Sequence, residues 1–139
     1  MSHNVIASIY EAKLIAWAKA LPNPLKVVVE NEAFTPGDDA TYLRAFTLPA
    51  DTASNTLGGD HRLFTGVFQV SIVTPSGKYR GAAGALADQI AALFPLYARN
   101  TKGAITVVAM TPVDQGPGIP GDTNFIVPVS FQYRADTTT

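Results

Sequence analysis

Apolar residues recur along this chain with two periods, one near 3.6 and one of 2, and the periods alternate. From Asn4 to Leu21, Val5, Ile6, Ile9, Ala12, Ala16 and Trp17 fall at helical spacing. Glu11, Lys13 and Lys19 mark the polar side of that helix. Ser2 or Asn4 suits its start, and Pro22-Asn23-Pro24 stops it. A second helix is predicted over Gly81–Tyr97, where Leu86, Ile90, Leu93, Phe94 and Tyr97 form one apolar stripe.

The remaining periodic segments read as strands. Lys26–Glu30 holds three consecutive valines. Thr41–Pro49 alternates, with Tyr42, Arg44, Phe46 and Leu48 facing one way and Leu43, Ala45 and Thr47 the other. Phe64–Thr74 carries Phe64, Phe68, Val70 and Ile72, and Pro75-Ser76-Gly77 marks its end. Ala104–Met110 is rich in Val and Ile, and Phe125, Val127, Val129, Phe131 and Tyr133 alternate as a last strand with one buried face.

Between these lie segments without a period. Glu30–Asp39 reads as a turn-rich connection. Ala50–Leu63 and the Pro/Gly-rich Thr111–Asp122 read as long flexible loops, the second unable to form regular structure. Ala135–Thr139 reads as a frayed tail. The order of elements gives an α+β fold, a single sheet layer covered by two helices, and one domain over residues 1–139.

A chain of 139 residues can bury a core without staples. It has no cysteine, which excludes disulfides, thiolate metal sites and cysteine nucleophiles. Ten basic and eleven acidic residues are scattered, leaving a net charge of −1 and no basic stripe for gripping nucleic acid. Charged residues make up only 15%, against roughly 25% in an average soluble domain. A surface short of charge suits a subunit that packs against neighbours, although a monomer with a polar Ser/Thr/Asn surface fits equally well. No apolar run approaches the ~20 residues that span a bilayer. The Met1-Ser2-His3-Asn4 start lacks the features of a leader, so the expectation is a soluble protein made in the cytoplasm.

Catalytic chemistry has little foothold. His3 falls in what should be a mobile terminus and His61 in the first long loop, as a solvated residue. Neither belongs to a pair at metal-ligand spacing. Asp38, Asp39 and Asp60 are explained as turn residues. Gly77-Lys78-Tyr79-Arg80-Gly81 precedes a helix but lacks the spacing of a phosphate-binding loop. No catalytic, cofactor-binding or metal-binding residue is assigned, and no cofactor is expected.

Several short patterns carry a resemblance. The first helix is followed by Glu30-Asn31-x-x-Phe34-x-Pro36 and then Tyr42-Leu43-Arg44. Next comes Gly66-x-Phe68-Gln69-Val70-x-Ile72-x-x-Pro75-x-Gly77, then the alanine-rich second helix and the closing Phe125–Arg134 strand. In this order the chain resembles the tail terminator, or tail completion, proteins of long-tailed bacteriophages of the siphophage type. The resemblance implies a mixed, mostly antiparallel sheet with two helices on one face, and a structural protein, not an enzyme. It implies a homo-oligomer, a hexameric ring on the head-proximal end of the tail tube. That ring stops tube polymerisation and offers a surface for joining the head. The implied partners are further copies of the chain, the major tail tube protein and a head completion or neck protein. The implied location is the virion tail, assembled in the bacterial host cytoplasm.

Candidate interface residues are Arg62, Leu63 and Phe64, which leave the first long loop, and Ile119 within the second. For Leu63 and Phe64 the plain alternative is that they begin a core strand. Two other functions stay open at this level. One is a neighbouring head–tail connector or tail tube protein. The other is a small α+β ligand-binding domain or enzyme with a site under the long loops.

Overall fold

The computed structural model describes residues 3–22, 24–29, 41–53, 61–75, 80–102, 105–116, 118–120 and 124–138. In chain order the elements are α1 (His3–Lys19), β1 (Lys26–Val28), β2 (Tyr42–Ala53), β3 (His61–Pro75), α2 (Arg80–Leu93), β4 (Arg99–Lys102), β5 (Ile105–Ala109), β6 (Asp114–Gln115), β7 (Ile119–Pro120) and β8 (Asn124–Thr138). The fold is α+β: one mixed sheet, ordered β1-β2-β3-β8-β5-β4, with β6 and β7 also paired to β8. β1 runs parallel to β2. Every other pairing is antiparallel.

Alternation along the strands sends one set of residues under the helices. Leu43 and Ala45 of β2, Phe64, Phe68, Val70 and Ile72 of β3, Val107 of β5 and Val127 to Ala135 of β8 join the core with both helices. From α1 the core takes Ile6, Tyr10, Leu14 and Ala18, spaced by four. That face differs from the expected stripe: Ala12 and Ala16 are exposed. The larger side chains of Tyr10 and Leu14 can reach the sheet, so they set the helix's rotation and the small alanines follow.

α2 buries Ala83, Ala87 and Ile90, with Leu86 and Leu93 packed alongside. It stops at Leu93, not at the expected Tyr97. Pro95 disfavours helical geometry at the residue before it and has no N–H to continue the helix. Phe94 still reaches the core, whereas Tyr97 is exposed and adopts a φ of 63°.

Four other expectations change. The loop expected at 50–63 is shorter, because β2 continues to Ala53 and β3 begins at His61. His61 is therefore a strand residue paired with Thr138. Ala135 to Thr138 pair with β3 and do not fray. Asp114–Gln115 and Ile119–Pro120 of the Thr111–Asp122 stretch form two short strands, which continue along β8 the edge that β5 begins. The expected connection at 30–39 and the turn at 76–79 lie outside the described residues.

The interruptions have local causes. From Ala109 to Asp114 the edge advances five residues while β8 moves three, from Tyr133 to Ser130. Thr111 fills part of that gap, its Oγ1 accepting the Gln132 N–H at 2.9 Å. Lower down, Pro128 of β8 has no N–H to offer this edge. There the edge breaks between β6 and β7, and Gly116 donates its N–H to the Pro128 carbonyl at 2.8 Å. A side chain at Gly116 would press on the Pro128 ring.

The core is an aromatic cluster. The Tyr10 ring lies 5.0 Å from Phe131, 5.3 Å from Phe68 and 5.7 Å from Phe94. Such separations add to the gain from burial alone. The Tyr10 hydroxyl is buried with no hydrogen-bond partner among the described residues. Burial and the neighbouring Tyr133 push its pKa well up. Nearby, Gly66 of β3 sits opposite Tyr133, and a Cβ there would meet the Tyr133 hydroxyl and the Leu48 carbonyl.

Two expectations about stability follow. Tyr10→Phe should leave urea unfolding unchanged or raise stability by up to about 1 kcal/mol, because it removes an unpaired hydroxyl and keeps the ring. Gly66→Ala should cost about 1–3 kcal/mol in the same assay, as Tyr133 must move to make room.

Candidate interaction face

Among the described residues, the sheet's other face carries no helix. Along β3 from Leu63 to Val73, the residues on this face are Leu63, Thr65, Val67, Gln69, Ser71 and Val73, none of them charged. Val28, Tyr42 and Val73 form a small buried cluster at one end, with Ile126 against it. Elsewhere large apolar side chains meet solvent: Leu48 is 52% exposed, Met110 39% and Ile119 54%. Paired residues point to the same side, so Leu48 opposite Val67 and Ile119 opposite Ile126 belong to this face.

A groove of about 450 Å³ runs along the β4–β5–β8 side of the face, lined by Tyr97, Arg99, Thr106, Val108, Met110, Arg134 and Asp136. Within it Arg134 and Asp136 pair with each other at 3.1 Å. Their charges offset one another, which leaves an apolar strip between Val108 and Met110.

The four residues singled out from the sequence are divided. Phe64 is 7% exposed, a core residue whose ring meets His3 edge-on at 5.2 Å. Leu63 is half-buried on the helix-free face, between Ala53 and Asp136. Arg62 is in β3, paired with Thr137, and its side chain lies outside the description. Ile119 is exposed at the far end of the strands, near Ile126 and Val73. Ten residues of β3 separate the level of Leu63 from that of Val73, about 33 Å at strand rise. One contact surface of ordinary size cannot centre on both. Sequence reasoning missed Leu48, Met110 and Asp114. The alternation of Tyr42 to Leu48 was a signal for the first, but the other two depend on how the edge strand breaks.

A second concavity, of about 360 Å³, is lined by His3, Asn4, Ala7, Glu11, Val29, Thr47 and Pro49. It brings a histidine and a carboxylate to one cleft, the minimum for acid–base work. His3, however, is not mobile. It begins α1, stacks edge-on against Phe64 and Tyr133, and shares a 2.6 Å hydrogen bond between Nδ1 and the Tyr133 hydroxyl. Burial lowers the His3 pKa and pushes Tyr133 up to about 12. This hydrogen bond, in which either partner can donate according to the tautomer of the neutral ring, ties the start of α1 to β8. Among the described residues, no group of three or more His, Cys, Asp or Glu could hold a metal. Nor is any described helix long and apolar enough to cross a membrane.

A family model described as phage tail terminator protein matches residues 5–133, from the first turn of α1 to Tyr133 of β8. The chain belongs to the phage tail terminator family. The role of this family member is thus a structural one in the phage tail. The chain is also similar to a solved structure, at 38% identity and a TM-score of 0.83. That similarity covers 97% of this chain and 96% of the other. No curated protein matches.

The His3 clasp sets a pH dependence for this tail terminator. The folded state holds His3 neutral, so the unfolded chain takes up the proton first as pH falls through the ordinary value of 6.5. Stability should therefore be flat above that value and decline below it, until the lowered folded pKa is passed. Comparing urea midpoints of wild type and His3→Gln between pH 8 and about 5 tests this. The wild type should lose more stability over that range than the variant; equal slopes would remove His3 as the cause.

Proposed function

We propose that this tail terminator assembles as a hexameric ring on the head-proximal end of the tail tube, ends tube polymerisation and presents the joining surface for the head. The observation that carries the reading is the family match over nearly the whole chain. The arrangement of the ends of the sheet supports it. The connection between β2 and β3 departs at the Leu63 end, whereas β7 and Ile119 lie at the other. A terminator must meet two different partners along its axis, the tail tube protein on one side and a neck or head completion protein on the other. Leu63 and Ile119 belong to these two axial contacts, one to each. The ring is a component of the virion tail built in the host cytoplasm, and its role needs neither cofactor nor catalysis.

The uncharged central strip of the helix-free face also favours assembly, since desolvating Thr, Gln and Val costs far less than desolvating charges. The test is tail length by negative-stain electron microscopy after deletion of the gene from the phage or prophage that carries it. The expected result is overlong or irregular tails with heads unattached. Tails of normal length joined to heads would remove the reading.

A further inference from the structure

We propose that the two margins of the helix-free face are the two halves of one head-to-tail contact between copies of this chain, in which Leu48 enters the Val108–Met110–Tyr97 groove of the next copy and Arg44 meets its Asp114. The inference rests on the ring reading and names the surface that would build the ring.

The strand register carries the argument. Leu48 pairs with Val67, and Val67 with Gln132. Beside Gln132 lies Met110, whose N–H bonds the Gln132 carbonyl at 2.7 Å. Leu48 and Met110 thus sit on one row across the sheet, at its opposite margins. The next row runs from Phe46 through Gln69 and Ser130 to Asp114. Arg44 lies one step beyond Phe46 on the same face, about 7 Å along the strand and within an arginine's reach of the Asp114 row. A copy set beside another with its rows aligned brings the exposed Leu48 to the groove and the cation to the carboxylate together.

Both margins are open where the contact needs them. β1 covers β2 only from Tyr42 to Arg44, so at Leu48 β2 is outermost among the described residues. β4 covers β5 as far as Val108, and the Tyr97 and Ala98 backbone bonds Ala109, which leaves Met110 and β6 outermost on the other side among the described residues. The charges complement each other as well. Asp114 has no ion-pair partner among the described residues, and Arg44 has only the Tyr42 ring, 5.4 Å away. Within the groove Arg134 and Asp136 offset each other, so an apolar knob can enter. Arg99 lies on the far side of the groove from Asp114 and does not oppose Arg44. Pairing by strand addition is disfavoured, because Pro112 and Pro120 punctuate the β6–β7 edge. A contact that joins unlike patches is heterologous, and it closes a ring when the rotation from copy to copy returns to the first.

The lack of cysteine makes the test direct. Genes carrying Leu48→Cys with Met110→Cys, or either alone, replace the wild-type gene in the phage or prophage, and purified tails are oxidised and run without reductant. The double variant should give a ladder of covalent multimers extending past the dimer, and each single variant should stay monomeric. Leu48→Asp and Met110→Asp, both at exposed positions, should each give overlong tails although the purified proteins melt within a few degrees of wild type. A double-cysteine protein that remains monomeric in tails of normal length would overturn the contact and leave the terminator role standing. So would normal tails from both aspartate variants. Normal tails after outright deletion would instead overturn the role itself.

Discussion

The pairing of β3 with β8 is the interaction on which the rest of this structure depends. The two strands run antiparallel over fifteen residues each, from His61 opposite Thr138 to Pro75 opposite Asn124. On the covered side this register stacks Phe68 against Phe131 and sets Gly66 beneath Tyr133. The platform so formed receives Tyr10 from α1 and Phe94 from the end of α2. A slip of β8 by one residue would turn Phe131 and Tyr133 to the other face, away from Tyr10 and Phe94. β2 then extends the platform on the β3 side, and β5, β6 and β7 complete the free edge of β8.

Because both helices gather on one side, the sheet is left asymmetric. The covered side is apolar and aromatic; there His3 is tied to Tyr133, while the Tyr10 hydroxyl has no hydrogen-bond partner among the described residues. The other side is filled by Thr, Gln, Ser and Val at its centre, with larger apolar side chains at its margins. Exposed Leu48, Met110 and Ile119 at these margins suit a surface that packs against other proteins. The family match makes the assembly a phage tail.

Edges matter as much as faces in a protein of this kind. A free strand edge invites unregulated pairing, and this chain blunts its edges by different means. β1 is three residues long and preceded by Pro22 and Pro24. β4 carries Arg99 and Lys102, and Lys102 reaches back to Ser8 of α1. The β6–β7 edge is interrupted by prolines and glycines. In the ring proposed above, contacts between copies would be left to side chains, which can specify one geometry and stop.

The sequence by itself determined the α+β class, the two helices, the main strands and, through its short ordered patterns, the family. These rest on local periodicity, which a chain displays before it folds. It also held Leu43 and Ala45 on the opposite side of β2 from Tyr42 and Leu48. The rotation of α1 about Tyr10 and Leu14, the capture of His3 and the burial of Phe64 were decided only by tertiary structure. So were the extension of β8 to Thr138 and the conversion of the Pro/Gly-rich stretch into an edge of β8. The physical reason is common to all of them. Each is set by a partner distant in sequence, a strand needing its hydrogen bonds met or a ring needing a wall, and no local pattern records where that partner will be.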